Sequence, residues 1–139
     1  MSIKYAPAKG SIIICEFDKY AMLPEMQKRR PVVVLSSVAP RLCLVVPLST
    51  TEPEPQEPWH YLLNTPSPLP APYDSKAHWV KGDMVFPASF DRLMLPFRGK
   101  DRNGKRIYDV KVAAPDDFEA IRRCVAAALF PGWLDNLHI

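Results

Sequence analysis

Apolar residues in this chain arrive in short, dense runs separated by polar and proline-rich stretches, the pattern of a small β-rich domain. Residues 11–17 (SIIICEF) are rich in β-branched side chains and follow Gly10, so they predict a strand entered from a turn. Residues 31–37 (PVVVLSS) begin at Pro31, where a missing N–H is tolerated, and predict a second strand. Residues 41–48 (RLCLVVPL) predict a third. Short connections between neighbouring strands favour an antiparallel meander or small barrel over a parallel sheet, whose crossovers are long. Residues 18–29 carry Pro24 and no sustained period, which predicts a loop able to serve as a functional flap.

The middle of the chain changes character. Seven of its 16 prolines, from Pro53 to Pro72, lie between residues 51 and 73, a density that excludes a helix or a central strand. Residues 59–63 (WHYLL) fit a short edge strand there, and the rest fits an extended, polyproline-like loop. This excursion, over 52–73, lies inside a single domain expected to span 1–139. Residues 78–86 (HWVKGDMVF) alternate as a strand would, and Asn103-Gly104 marks a hairpin turn between two basic segments. From Pro115 the period becomes helical. Pro115 suits the first helical position, Asp116, Asp117 and Glu119 suit the first turn, and Phe118, Ile121, Val125 and Leu129 form an apolar stripe ending before Pro131-Gly132.

Length and composition agree with one unit: 139 residues with 47% apolar side chains are enough to bury a core. No window approaches the ~18 uninterrupted apolar residues of a membrane span, and the first residues lack the apolar run of a signal peptide. A soluble, cytoplasmic protein without membrane contact is therefore expected. The net charge is only +3, so the distribution of charge carries more than its sum. Lys28, Arg29 and Arg30 are consecutive, and Arg98, Lys100, Arg102, Lys105 and Arg106 fall close together. Both patches suit phosphates, and both equally suit solvated turns. Cys15, Cys43 and Cys124 show no CxxC spacing and read as buried thiols. His60, His78 and His138 never approach a zinc spacing and read as surface or satisfied core groups, and no glycine-rich phosphate loop exists. No metal and no cofactor are expected.

Three stretches carry candidate chemistry. Arg30 precedes a strand-initiating proline, which biases its backbone to the extended region and aims its guanidinium from the sheet, a placement suited to a phosphate clamp. Ser49, Thr50 and Thr51 set hydroxyls at the end of an apolar strand, where they also suit a turn. Lys81 and Asp83, spaced by two, are expected on one face of a strand, an arrangement that also suits a surface ion pair.

Taken in order, Gly10, Arg30-Pro31 before a valine-rich strand, a following strand ending in VPLST, Asp83 and Asp91-Arg92 resemble the PemK/MazF family of type II toxin-antitoxin ribonucleases. The resemblance covers nearly the whole chain, with a longer proline-rich excursion than the family's usual connection. It implies a small SH3-like antiparallel β-barrel with a C-terminal helix, a homodimer holding single-stranded RNA in a groove, and a cognate antitoxin as partner. It also implies metal-independent cleavage to a 2′,3′-cyclic phosphate and a free 5′-hydroxyl, inhibiting translation and growth. By position, Arg30 matches the family's catalytic arginine. Ser49 matches its hydroxyl residue if Pro47 is aligned, with Thr50 as competitor. Glu25 stands where some members have an assisting glutamate, and Lys81 and Asp83 stand where others have an arginine and an aspartate. Lysine replaces that arginine, and Pro24 replaces a histidine of those same members, so the Asp83/Lys81 and Glu25/Arg30 pairs both stay open as the acid-base machinery.

The chemistry is consistent with these residue types. Cleavage by the RNA's own 2′-hydroxyl needs a base, neutralised phosphoryl oxygens and a protonated leaving oxygen. Arginine grips two phosphate oxygens at once and stays charged. Lys28, Arg29, Trp79 and Arg92 are the candidates for binding the rest of the RNA, and Trp59, Phe86 and Phe90 are further aromatics for stacking or core. The alternative is a catalytically inactive barrel of the same shape that binds protein or DNA as a regulator. Serine at 49 and lysine at 81 keep that alternative open.

Overall fold

The valine and isoleucine runs become strands whose two faces are both covered, which is why they read as continuous apolar stretches rather than alternating ones. The computed structural model describes residues 2–17, 22–64, 69, 72–74, 77–133 and 135. β1 (Ser11–Glu16) pairs antiparallel with β2 (Arg29–Ala39), and β2 pairs antiparallel with β3 (Leu42–Ser49). The chain enters β1 through Gly10 at φ 84, a left-handed conformation that glycine adopts without cost; its N–H donates to the Val34 carbonyl at 2.7 Å.

β4 (His60–Leu62) is the expected short edge strand and pairs with β5 (Trp79–Lys81), which in turn pairs with β3. β6 (Phe86–Ser89) adds to β3, and β7 (Leu93–Met94) adds to β1. A separate two-stranded ribbon, β8 (Phe97–Lys100) and β9 (Arg106–Tyr108), turns at the expected Asn103-Gly104. β10 (Lys111–Val112) returns to β1, and α1 (Pro115–Leu129) closes the chain where the helical period places it.

Two expectations change. The sheet does not close into a barrel: its order is β10-β1-β2-β3-β5-β4, with β6 on β3 and β7 on β1. A 3-10 turn, Phe90–Arg92, carries the chain from β6 to β7, so the mainly antiparallel β class with a C-terminal helix holds while the ring stays open. The single strand expected over 78–86 is broken. It stops at Lys81, passes through a 3-10 turn at Gly82–Met84 and resumes as β6. The cause is distant in sequence: a Cβ on Gly82 would lie 2.8 Å from the Cys124 backbone, so the chain turns where it meets α1. Lys81 and Asp83 therefore do not project from one strand.

The core has two parts, one on each face of the sheet. Ile13, Cys15, Val32, Val34 and Val45 pack with Ala88, Phe90 and Leu93, under the β6–β7 arm. Ile12, Val33, Val46, Leu48 and Val80 pack with Ile121 of α1. All three cysteines are free and buried, and burial pushes the Cys15 thiol up to about 12 and the Cys124 thiol to about 11. Asp117, in the first turn of α1, is buried; its Oδ1 accepts from the Tyr61 hydroxyl at 2.6 Å and from the Asn64 N–H at 3.3 Å. The positive end of the helix favours that carboxylate.

Parts of two expected loops fall outside the described residues: 18–21 of the 18–29 flap, and 65–68, 70 and 71 of the proline-rich excursion. His138 lies outside them as well.

Candidate active site

The site grows from strand register. Val32 lies opposite Pro47 in the β2–β3 pair, which brings Arg30 and Ser49 to the same end of these strands. Ser49 lies opposite Trp79 in β5, and Lys81 lies opposite His60 in β4. Directly opposed residues share a face, and residues two apart on a strand do too. Arg30, Ser49, Trp79, Lys81 and His60 thus share one face across four strands.

Arg30 is half-buried, and its Nε donates to the Gln27 carbonyl at 2.9 Å. This bond fixes the plane of the guanidinium from the loop that precedes β2. Arg30 forms no ion pair among the described residues. Ser49 is buried, and its Oγ accepts the Thr51 N–H at 3.1 Å, the bond of a hydroxyl turn. Thr50, beside it, is exposed. The two hydroxyls thus differ: Ser49 is oriented by backbone, Thr50 faces solvent.

Glu25 is exposed on the segment leading to Arg30, and its N–H donates to the Met22 carbonyl at 2.7 Å. Lys28 has a left-handed backbone at φ 71, and its carbonyl accepts from the Phe17 N–H at 3.1 Å. Arg29 points to the opposite face from Arg30 and pairs with Glu16 at 2.7 Å. Arg92 donates to the Glu16 carbonyl at 3.3 Å and stands 5.8 Å over the Phe86 ring. Phe90 is core and Phe86 packs against the core, whereas Trp59 and Trp79 are half-exposed.

One residue that the sequence did not single out joins this face. His60 lies opposite Lys81, and its Nδ1 accepts the Glu57 N–H at 2.9 Å, which leaves the proton of the neutral ring on Nε2. Burial first, then Lys81, holds its pKa below the usual imidazole value, against the opposing charges of Asp83 and Glu57. Asp83 is exposed in the turn after β5 and acts electrostatically on the same ring. His60 was hidden because its place depends on the β4–β5 register, which a proline-rich stretch does not announce.

Comparison with known proteins agrees with this architecture. The fold is shared with solved structures: an endoribonuclease in complex with its cognate antitoxin from Mycobacterial species is 19% identical, with a TM-score of 0.60, covering 92% of this chain and 99% of that one. MazF from Deinococcus radiodurans is 18% identical, with a TM-score of 0.62, covering 91% and 98%. An uncharacterized protein of Escherichia coli strain K12, YifN, is 32% identical over 113 residues, 67% of this chain and 75% of that protein. The family described as PemK-like, MazF-like toxin of type II toxin-antitoxin system matches residues 8–129. The chain belongs to this family.

Proposed function

We propose that this protein is the toxin of a type II toxin-antitoxin pair, a metal-independent endoribonuclease that cuts single-stranded RNA and so stops translation and growth. The observation that carries the reading is Arg30: its guanidinium is oriented by the Gln27 carbonyl, has no carboxylate partner among the described residues, and sits at the strand end that also holds Ser49. Such a cation binds a phosphodiester and stabilises the charge that develops on its oxygens. Ser49 or Thr50 supplies a hydroxyl to the same phosphate, and the exposure of Thr50 favours it as the group that reaches RNA. The 2′-hydroxyl loses its proton to a carboxylate and attacks the adjacent phosphorus; the 5′-oxygen leaves with a proton, giving a 2′,3′-cyclic phosphate and a free 5′-hydroxyl. Asp83 with Lys81, or Glu25 with Arg30, would divide the acid and base roles between them, although neither couple forms an ion pair among the described residues.

Lys28, Arg29, Trp79 and Arg92 extend the contact with RNA. The protein works as a homodimer in the cytoplasm and is neutralised by a cognate antitoxin; the mycobacterial relative solved with its antitoxin supports that partner. Incubation of the purified chain with mixed-sequence RNA in EDTA tests the reading. Cyclic-phosphate ends that disappear in Arg30→Ala are expected. Intact RNA at high protein concentration overturns the nuclease and leaves the binding regulator.

A further inference from the structure

The basic ribbon is not absorbed by the chemistry at Arg30, yet it is placed with care. Its two legs are both stitched to β1: Met94 of β7 lies opposite Ile14 just before the ribbon, and Lys111 of β10 lies opposite Ile12 just after it. The Asp109 N–H donates to the Pro96 carbonyl at 2.8 Å and closes the base. The ribbon is therefore held against the sheet on the side where Arg29 emerges. Between ribbon and sheet lies a cavity of about 350 Å³, whose walls include Arg29, Tyr73, Phe97, Arg106 and Tyr108 over a floor of Ile14 and Met94.

The chemistry of this cavity is mixed in a particular way. Phe97 and Tyr108 are cross-strand partners, and each keeps a large exposed surface, 44% and 47%. The Arg106 guanidinium stacks over the Phe97 ring at 4.8 Å from its centroid. Tyr73 also lines the cavity, and its hydroxyl donates to the Arg29 carbonyl at 3.4 Å. Arg29 is tied to Glu16 by an exposed ion pair, the kind that contributes little and that a phosphate displaces readily. Flat π-faces next to two guanidinium groups are what a base and its phosphate require. An acidic peptide would use the two charges and leave the three rings without a role.

We infer that this cavity is a binding site for one unstacked nucleobase and its phosphate, part of the same single-stranded RNA whose cleavage is proposed at Arg30. The inference rests on that proposed activity. Arg29 and Arg30 are consecutive and point to opposite faces of β2, so the end of this strand separates the cavity from the scissile site. RNA crossing that strand end presents one phosphate to Arg30 and a nearby base to the ribbon. The ribbon thus selects where along the RNA the cut is made, by holding a flanking nucleotide rather than the one attacked.

The test uses the full chain and two probes: a fluorescein-labelled, 2′-O-methylated single-stranded oligoribonucleotide for binding, and its unmodified counterpart for cleavage. Phe97→Ala and Tyr108→Ala are each expected to weaken binding and raise KM about tenfold, in line with the loss of one stacked base. Arg106→Ala should weaken binding and lower the slope of log affinity against log salt by about one. Arg122→Ala, on the exposed surface of α1, serves as the control and should match the wild type. Thermal unfolding of each variant separates loss of binding from loss of fold. Wild-type protein that cleaves RNA while all three ribbon variants bind and cleave like it overturns the inference and spares the proposed activity. Wild-type protein that binds but never cleaves, with binding still lost in the ribbon variants, overturns the activity and supports the site. Poly-glutamate that binds wild type and ribbon variants with equal affinity, and therefore displaces RNA more easily from the variants, supports the site; poly-glutamate that loses affinity in the variants as much as the oligonucleotide does overturns it in favour of an acidic peptide.

Discussion

Five of the six residues of β1 are buried, whereas no residue of β8 or β9 is. Both regions are antiparallel β structure, and they serve different ends. β1, the middle of β2 and most of β3 are buried on both faces, so the register that brings Arg30 and Ser49 to one end of these strands is backed by the core. The ribbon gains almost nothing from burial and is held by its two ends, which leaves its aromatic and basic side chains available to a ligand. Rigid placement of Arg30 and Ser49 and solvent-facing placement of the ribbon's aromatic and basic side chains thus come from one difference in burial.

The comparison breaks first at Arg30. Arg30→Ala should lower RNA cleavage by about 10²- to 10³-fold, the effect of removing one preorganised charge stabiliser, with little change in melting temperature. Cleavage within a few-fold of wild type would place the chemistry elsewhere. The next largest effect is on stability, with the same substitution made in both regions. Ile13→Ala should cost about 2–5 kcal/mol in urea unfolding, and Ile107→Ala in β9 less than about 1 kcal/mol, because only Ile13 leaves a cavity in the core. Equal losses would mean that the ribbon is part of the cooperative core.

A smaller effect comes from the link between β4 and α1. Tyr61→Phe removes the hydroxyl that Asp117 accepts from and should cost about 1.5–3 kcal/mol near neutral pH. The hydrogen bond to Asp117, then burial, raises the Tyr61 phenol to about 12. Because the folded state holds that proton more tightly, its stabilisation is full below pH 10 and is lost as pH rises toward 12. The wild type should therefore lose stability more steeply than Tyr61→Phe over that window in a pH series of thermal melts. The smallest effect is expected at His60, whose depressed pKa makes its contribution full above pH 6.5 and reduced as pH falls below it. His60→Gln should flatten that mildly acidic slope without shifting the alkaline one.

What could be read in advance follows the same division. The paired strands and α1 were visible because burial on two faces, or on one helical stripe, writes itself into apolar runs and periods. The end of β2 was visible because Pro31 marks it. The break at Gly82 was not, since it is caused by the Cys124 backbone, more than 40 residues away in the chain. Nor was the open ring, because whether β6 meets β7 depends on how the Phe90–Arg92 turn is taken. The five basic residues of the ribbon were readable as a patch, but their juxtaposition with Tyr73 and Arg29 exists only once both legs are fastened to β1.

The sealed core also sets how the protein meets oxidants and electrophiles. A thiol reacts as its anion, and the two cysteines whose ionisation burial suppresses, Cys15 and Cys124, lie on opposite sides of the sheet. Cys43 is fully buried as well, so the native chain should ignore Ellman's reagent and take it up only on opening, which turns alkylation or disulfide exchange into a clock for unfolding that needs no added label.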